Sequence, residues 1–135
     1  MHPKTIELQA RTRRFAADVI AFCHRLPQTV ACQRIVPQLI DAANAVDSNY
    51  RAACRSRSKA EFIAKLGIVV EEADESKGWL ELLVESKQVP SQSAEALIRE
   101  ADELVSIFAK SRMTAEAHRQ AQDRIDKQSY RGRTR

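Results

Sequence analysis

The feature that most constrains the fold is a regular repeat of apolar and small residues in the third quarter of the chain. Its spacing alternates between four and three residues over three heptads, which is typical of a long packed helix. Ser58 and Glu61 precede the repeat at the spacing of a capping box, in which each side chain satisfies a free backbone N–H of the first turn. The repeat therefore predicts a helix that begins after Ser58 and ends before Pro90. Its positions are Phe62, Leu66, Val69, Ala73, Ser76, Leu80 and Leu83.

Further apolar residues lie on both flanks of this repeat. Together they widen the apolar surface to roughly 220° of the helix circumference, about twice what one buried face requires. The third helix is therefore predicted to be buried on two sides. The flanking residues are Ile63, Val70 and Val84 on one side and Ile68 and Trp79 on the other.

Three other segments have the same spacing and predict three more helices. The first ends at Pro27. The second runs from about 34 to 56 and has Pro37 early, where the missing N–H does little harm. The fourth begins near Ser91 or Ser93, either of which is a suitable cap. The predicted core residues are Phe15, Val19, Phe22 and Leu26 in the first helix, Leu39, Ala43, Val46, Tyr50 and Ala53 in the second, and Leu97, Ala101, Leu104 and Phe108 in the fourth.

Four amphipathic helices with short connections predict an all-α fold, an up-down-up-down antiparallel four-helix bundle over residues 1–112. The chain of 135 residues has only 3 Gly and 4 Pro, too few turn residues for a β sandwich. After Met113 the apolar repeat stops and the chain ends in arginines. Residues 113–135 are therefore predicted to form a disordered, flexible basic tail.

The sequence predicts neither an enzyme nor a metal or cofactor site. The acidic residues of 71–75 have no His three positions later, as the Glu-x-x-His pairs of di-iron bundles require. The three cysteines, Cys23, Cys32 and Cys54, have neither the even number of a disulfide framework nor zinc-ligand spacing, which favours a reducing compartment. Apolar runs are far shorter than a signal or membrane-spanning segment. We expect a cytoplasmic protein without a membrane partner.

Charge is unevenly distributed along the chain. Residues 1–58 hold 9 Lys and Arg against 4 Asp and Glu, residues 59–112 hold 7 against 11, and residues 113–135 hold 6 against 3, for a net charge of +4 and a pI near 9.2. Such a balance makes nucleic acid a candidate partner, because cations neutralise phosphates. The alternative is pairing between the basic first half and the acidic third quarter. The candidate nucleic-acid-binding residues are Arg11, Arg14, Arg51, Arg55, Arg57, Arg131, Arg133 and Arg135.

These arginines have almost no aromatic residues between them, so we expect binding to the phosphate backbone with little sequence specificity. For Arg51 a structural role is favoured over a binding role. It follows Tyr50 on the predicted core face, where Arg51 and Asn49 would make polar contacts that fix the helix register.

Three stretches resemble a known family, the bacterial four-helix bundle proteins encoded in intervening sequences of large-subunit ribosomal RNA genes. The resemblance covers about residues 5–112. One departure is Ala52, where family members usually have an acidic residue after the Asn-Tyr-Arg run. The matching stretches are RTRRFAADV at 11–19, AVDSNYRAA at 45–53 and FIAKLGIVVEEADESKGWLELL at 62–83.

The resemblance implies a homopentamer. It also suggests RNA or DNA binding, because a relative in fold, the accessory variability determinant of diversity-generating retroelements, is a basic pentamer that binds nucleic acid. It implies no catalysis. A ring also suits a third helix with apolar residues on both flanks, since a neighbouring subunit would cover one of them. The alternatives are that the fourth helix of the same chain covers that flank, and that the ring is structural or binds another protein without affinity for nucleic acid. The candidate interface residues are Ile68, Glu71, Glu75 and Trp79.

Overall fold

The computed structural model describes residues 1–134, and within them it contains four helices and no strand. The helices form a four-helix bundle, so the predicted all-α fold is confirmed. They are α1 (Pro3–His24), α2 (Val30–Cys54), α3 (Lys59–Glu85) and α4 (Ser91–Arg133).

Successive helices run antiparallel, as side-chain contacts between their ends and middles show. Thr29, which precedes α2, donates a 2.6 Å hydrogen bond to Gln88, which follows α3. Lys77 in the middle of α3 forms a 3.0 Å ion pair with Asp102 of α4. The helix α3 packs extensively on both α2 and α4, whereas α1 packs mainly on α2 and touches α4 over a small area. A gap therefore remains between α1 and α4.

The Ser58 cap of α3 is present, but the second bond of the predicted capping box is displaced by one residue, from the N–H of Ser58 to that of Arg57. The Ser58 hydroxyl accepts a 3.1 Å hydrogen bond from the Glu61 N–H, and the Glu61 carboxylate accepts one of 3.2 Å from the Arg57 N–H. At the other end, Lys87 has φ 65°, and Gln88 and Lys87 donate to the carbonyls of Leu83 and Val84. This is a Schellman motif, so α3 ends at Glu85, before Pro90 as predicted.

Two predicted helix starts are wrong in detail. The helix α2 begins at Val30, about four residues before the predicted start, because the Thr29 hydroxyl caps it by accepting from the Cys32 N–H at 3.1 Å. At the start of α4 neither Ser91 nor Ser93 is the N-cap; Pro90 occupies that position and no side chain caps the helix.

The buried core contains nearly all of the residues that the repeats predict. From Leu66 to Leu83 every repeat position of α3 is fully buried, while the predicted core residues Phe62 and Leu97 are half-buried. The rings of Tyr50 in α2 and Phe108 in α4 pack in the core with their centroids 4.7 Å apart. Other fully buried side chains are Phe15, Val19, Leu39, Val46, Leu104 and Phe108.

Contacts with α2 and α4 bury two sides of α3, as predicted, but one apolar flank stays open to solvent. Ile68 is 36% exposed and Leu82 is 42% exposed, while Trp79 is half-buried. The fourth helix of the same chain therefore leaves much of this flank uncovered.

The prediction of a disordered tail is not confirmed, because α4 continues as a helix to Arg133. The segment has no Pro and is rich in helix-forming Ala, Gln, Glu, Lys and Arg, so it needs no core repeat to be helical. Side-chain pairs four residues apart support it, such as Gln122 with Asp126 at 2.9 Å. After Ala115 no residue is buried. The remaining helical residues of α4, 116–133, span about 27 Å at 1.5 Å per residue and pass the start of α3 before they lead away from the bundle; we call them the projecting part of α4. The predicted site residue Arg135 lies outside the described residues.

Candidate nucleic-acid interface

The antiparallel order brings many cationic side chains to one end of the bundle. The starts of α1 and α3, the end of α2 and the last core turns of α4 meet there. We call this end the basic end, and most of the acidic residues lie away from it, on the middle and far parts of α3 and α4. The exposed cations of the basic end are Lys4, Arg51, Arg55, Arg57, Lys59, Lys110, Arg112 and Arg119.

A crevice of about 720 Å³ opens at the basic end, where α1 and α4 fail to close on each other. Its walls come from all four helices. Lys4, Lys59 and Lys110 are its exposed cationic residues, and Glu7 is the one acidic residue among those that line it. Half-buried or buried apolar side chains complete the walls, namely Leu8, Tyr50, Phe62, Ile107 and Ala115.

A second groove of about 660 Å³ adjoins this crevice along α4. It lies between the first residues of α3, Ser58 to Ala60, and the segment His118 to Ile125 of the projecting part of α4. Lys59 and His118 line both cavities, so the two form one continuous surface. Cationic side chains are thus available from the bundle end to the projecting helix.

The predicted binding residue Arg11 is engaged within the chain. Its Nε lies 3.1 Å and 3.0 Å from the two carboxylate oxygens of Glu100 in α4, and its Nη2 also contacts Glu103. Hydrogen bonding to Glu100 raises the pKa of the Arg11 guanidinium above its already high value. Two carboxylates already balance this charge, so Arg11 joins α1 to α4 and has little to offer a phosphate.

Arg51 makes a polar contact, but at the surface and within its own helix, so it does not fix the register of α2 against another helix as predicted. It lies 3.7 Å from the buried carboxylate of Asp47, which also pairs with Arg13 at 3.1 Å. The Thr12 hydroxyl lies 3.2 Å from the same carboxylate and is fully buried. Asn49 donates to the Ala45 carbonyl of its own helix at 2.9 Å and contacts no other helix through that bond. The polar contacts between α1 and α2 are therefore those of Thr12 and Arg13 with Asp47, which the sequence reasoning missed.

The remaining predicted arginines are exposed. Among residues 1–134, the structure shows no ion pair for Arg14, Arg55 or Arg57. Arg131 and Arg133 lie in the last turn of α4, far from the bundle. The structure thus separates the predicted set: Arg55 and Arg57 belong to the basic end with Arg51, Arg14 lies apart on α1, and two arginines end the projecting helix.

The lysines of the basic end were missed by the sequence reasoning. Lys4, Lys59 and Lys110 lie in three different helices, and only Lys59 belongs to a cluster of cations in the sequence, with Arg55 and Arg57. For Lys4 and Lys110 the only signal is position, because the up-down order brings both to the same end of the bundle. Grouping the cations by the end of the bundle at which the up-down order places them would have identified these lysines.

Three of the four predicted interface residues lie on an exposed stripe of α3. We call this stripe the α3 outer face, and its members are Ala64, Ile68, Glu71, Glu75, Gly78 and Leu82, all exposed. The fourth, Trp79, lies beside the stripe and donates a 3.4 Å hydrogen bond from Nε1 to Glu75. Burial, with Glu75 and Glu71 close by, raises the pKa of the neighbouring Glu72. Crowded carboxylates and exposed apolar groups thus share one helix face.

The part of the chain that the structure describes brings no three His, Cys, Asp or Glu side chains together as metal ligands would be. Within the same residues no helix combines the length and apolar character that crossing a bilayer requires.

Comparison with known proteins identifies the family. Residues 4–110 match the model of the 23S rRNA-intervening sequence proteins. The chain is also similar to a crystal structure of a protein of unknown function from the S23 ribosomal protein family of Bacteroides thetaiotaomicron, with a TM-score of 0.68 and 23% sequence identity over 76% of this chain and 94% of that chain. No curated protein matches the chain. The match confirms the resemblance drawn from the sequence motifs, and the chain belongs to the 23S rRNA-intervening sequence protein family.

Proposed function

We propose that this protein is a cytoplasmic, non-enzymatic accessory protein that binds nucleic acid through the basic end of its bundle and works as a homopentameric ring. The observation that carries the nucleic-acid proposal is the collection of exposed cations at one end of the bundle. Arg55, Arg57 and Lys59 follow one another there across the turn between α2 and α3.

The electrostatics of the basic end support a polyanionic partner. The helices α1 and α3 begin at this end with partial positive charge while α2 ends there with partial negative charge, so the cationic side chains supply most of the positive potential. Lysine and arginine contacts to phosphates release counterions, so affinity falls steeply with added salt. Because no exposed aromatic side chain lies among the cations of the basic end, the contacts are mainly to the backbone and discriminate little between sequences.

The α3 outer face supports assembly between copies. Ile68 and Leu82 keep about two-fifths of their surface in water, which burial against another subunit would recover. Between them, Gly78 has no atom within 4 Å of where a Cβ would stand, so a second backbone has room to approach closely. A cyclic ring needs two different complementary patches, and the acidic residues of this face offer one of opposite sign to the basic surfaces elsewhere.

The nucleic-acid proposal is tested by fluorescence anisotropy of a labelled structured RNA and a DNA duplex at several salt concentrations. The double variant Arg57→Glu, Lys59→Glu reverses two exposed charges at the basic end. Its control, Arg25→Glu, Arg34→Glu, changes the net charge equally at the opposite end, where both residues are also exposed. We expect the first pair to weaken binding at least tenfold and to reduce the salt slope, and the control to do so much less. No binding at low salt, or equal loss in both variants, would contradict the proposal.

Assembly is tested by sedimentation or light scattering. Ile68→Lys is expected to lower the measured mass towards that of one chain. Ile20→Lys is a matched control, because Ile20 on α1 is the same residue type and equally exposed at 36%. A parent protein that stays monomeric at high concentration would exclude the ring, and equal effects of both variants would exclude the α3 outer face as its interface.

A ring that binds another protein and has no affinity for nucleic acid is the second candidate. The pairing of Arg11 with Glu100 and Glu103 favours it, since one predicted cation is already consumed within the chain. Pentamer formation without RNA or DNA binding in the two experiments above would select this candidate.

A further inference from the structure

We infer that the crevice at the basic end holds one unstacked nucleotide, with its base against the apolar wall and its phosphate against Lys4, Lys59 and Lys110. This inference rests on the proposed function and adds a preference for unpaired over duplex nucleic acid. The class of ligand is a nucleoside phosphate, which can be a free nucleotide or one nucleotide of a nucleic-acid strand.

The size of the crevice suits such a ligand. Cavities that bind small molecules commonly measure about 300 to 1,000 Å³, and this one measures about 720 Å³. It exists because α1 and α4 pack over only a small area. A crevice of this volume has room for one nucleotide, and a base of a duplex would have to leave its stack to enter it.

The walls offer an apolar surface with one accessible aromatic ring. Phe62 of α3, Leu8 of α1 and Ile107 of α4 are each half-buried, so part of each side chain remains available to a ligand. Tyr50 is buried and its ring packs on Phe108. Phe62 is therefore the side chain on which a base would stack, a contact that tolerates any base.

The charged residues of the crevice suit a phosphate. Lys4, Lys59 and Lys110 line the crevice from three different helices. Among residues 1–134 the structure shows no ion pair for any of them. Lysine binds phosphate as a point charge and needs no fixed geometry. Glu7 is the single acidic lining residue, so the local charge strongly favours an anion.

Two hydroxyls on the α4 wall add acceptors for the sugar or the base. Ser111 donates to the Ile107 carbonyl at 3.0 Å, and Thr114 donates to the Lys110 carbonyl at 3.1 Å. Each hydroxyl has thereby used its proton within the helix and keeps lone pairs for a donor. Ribose hydroxyls and base amino groups are such donors.

The inference is tested by calorimetric titration of the full chain with AMP, and separately with adenosine and with inorganic phosphate. We expect AMP to bind at least tenfold more tightly than either fragment, because only AMP occupies both the apolar wall and the lysines. We also expect AMP to displace a labelled unpaired RNA, and a duplex of equal length to bind the protein less tightly than that RNA does.

Two variants locate the site. Lys110→Glu is expected to weaken AMP binding at least tenfold. Its control is Lys87→Glu, which makes the same change at another exposed lysine just beyond the other end of α3 and is expected to leave AMP binding within twofold. Phe62→Leu keeps an apolar side chain of similar reach and is expected to weaken AMP severalfold while leaving inorganic phosphate unchanged. Equal effects of Lys110→Glu and Lys87→Glu would overturn the assignment.

The two proposals fail in different ways. If the protein binds structured RNA but AMP binds no better than inorganic phosphate, the crevice inference is overturned and the proposed function stands. If AMP binds and no RNA or DNA does, the crevice accepts a free nucleotide and the proposed function is overturned. If neither AMP nor nucleic acid binds, both proposals are overturned.

Discussion

Arg112 of α4 lies across Gly67 of α3, with its guanidinium carbon 3.3 Å from where a Cβ atom of residue 67 would stand. Gly67 is buried, and the missing side chain leaves room for the arginine to cross the neighbouring helix. The other glycine of α3, Gly78, is exposed and has only open space beside it. The two glycines of one helix therefore have different surroundings, although both lower its helix propensity.

Replacing each of these glycines with alanine should change the free energy of unfolding by a different amount. Each change gains up to about 1 kcal/mol of helix propensity. In the monomer, Gly78→Ala should keep all of that gain, because no neighbouring atom lies within 4 Å of its Cβ position. Gly67→Ala should gain less, since Arg112 must shift by a few tenths of an ångström. Urea unfolding checks both values, and a larger gain for Gly67→Ala would contradict the described contact.

Breaking the Arg11 contact should loosen α1 from α4. Arg11→Met keeps the apolar stem but removes the bonds to Glu100 and Glu103, and we expect a loss of about 1–3 kcal/mol in the free energy of unfolding. The control is Arg99→Met, whose pair with Glu95 is about two-thirds exposed on both sides and should be worth below about 0.5 kcal/mol. Equal losses would mean that the Arg11 contact adds nothing beyond a surface pair.

Two leucines of α3, two positions apart, test the assignment of its faces. Leu80→Ala should lower the free energy of unfolding by about 2–5 kcal/mol, because the side chain is fully buried and its loss leaves a cavity. Leu82→Ala should cost less than about 1 kcal/mol in the monomer, since Leu82 lies on the α3 outer face. Denaturant unfolding of both variants measures the difference. Similar losses of stability would mean that Leu80 and Leu82 do not lie on a buried and an exposed face, which would contradict the assignment of the repeat.

Alkaline conditions should destabilise the fold through buried acids. Burial raises the pKa of the Cys23 thiol from 9.0 to about 11. Between these values the unfolded chain has lost the proton that the folded chain keeps, so the free energy of unfolding falls as pH rises from about 9 to about 11. Burial also raises the pKa of Tyr50, which acts in the same direction at higher pH. Urea midpoints from pH 8 to 11 should fall less steeply for Cys23→Ala than for the parent, and parallel curves would contradict the assignment.

The sequence predicted the bundle well because its signals are local. The repeat from Leu66 to Leu83 and the cap at Ser58 depend on neighbours within one or two turns, and both are present. The predicted start of α2 is about four residues too late, because the apolar repeat does not show where the helix begins, whereas the cap at Thr29 does. The projecting part of α4 was misjudged because the absence of a core repeat shows only that a segment is unburied, not that it lacks a helix.

The candidate site was less predictable because it depends on contacts between distant residues. Arg11 and its partner Glu100 are 89 positions apart, so the sequence could not show that this charge is balanced. The lysines at positions 4, 59 and 110 become neighbours only through the up-down order of the helices. Combining the predicted topology with the charge of each helix end would have brought them together.

The projecting part of α4 is a continuation of a helix that the bundle has already formed. Nucleating a helix is costly, whereas adding a turn to an existing helix is not, and short isolated helices are marginal in water. The segment 116–133 has no buried residue of its own, so its helical state depends on the turns before it. A peptide of this segment alone should therefore be mostly coil, and in the full chain the protection of its amides from hydrogen exchange should decline towards Arg133. The bundle thus serves as the nucleus of an arm that has no buried residue of its own.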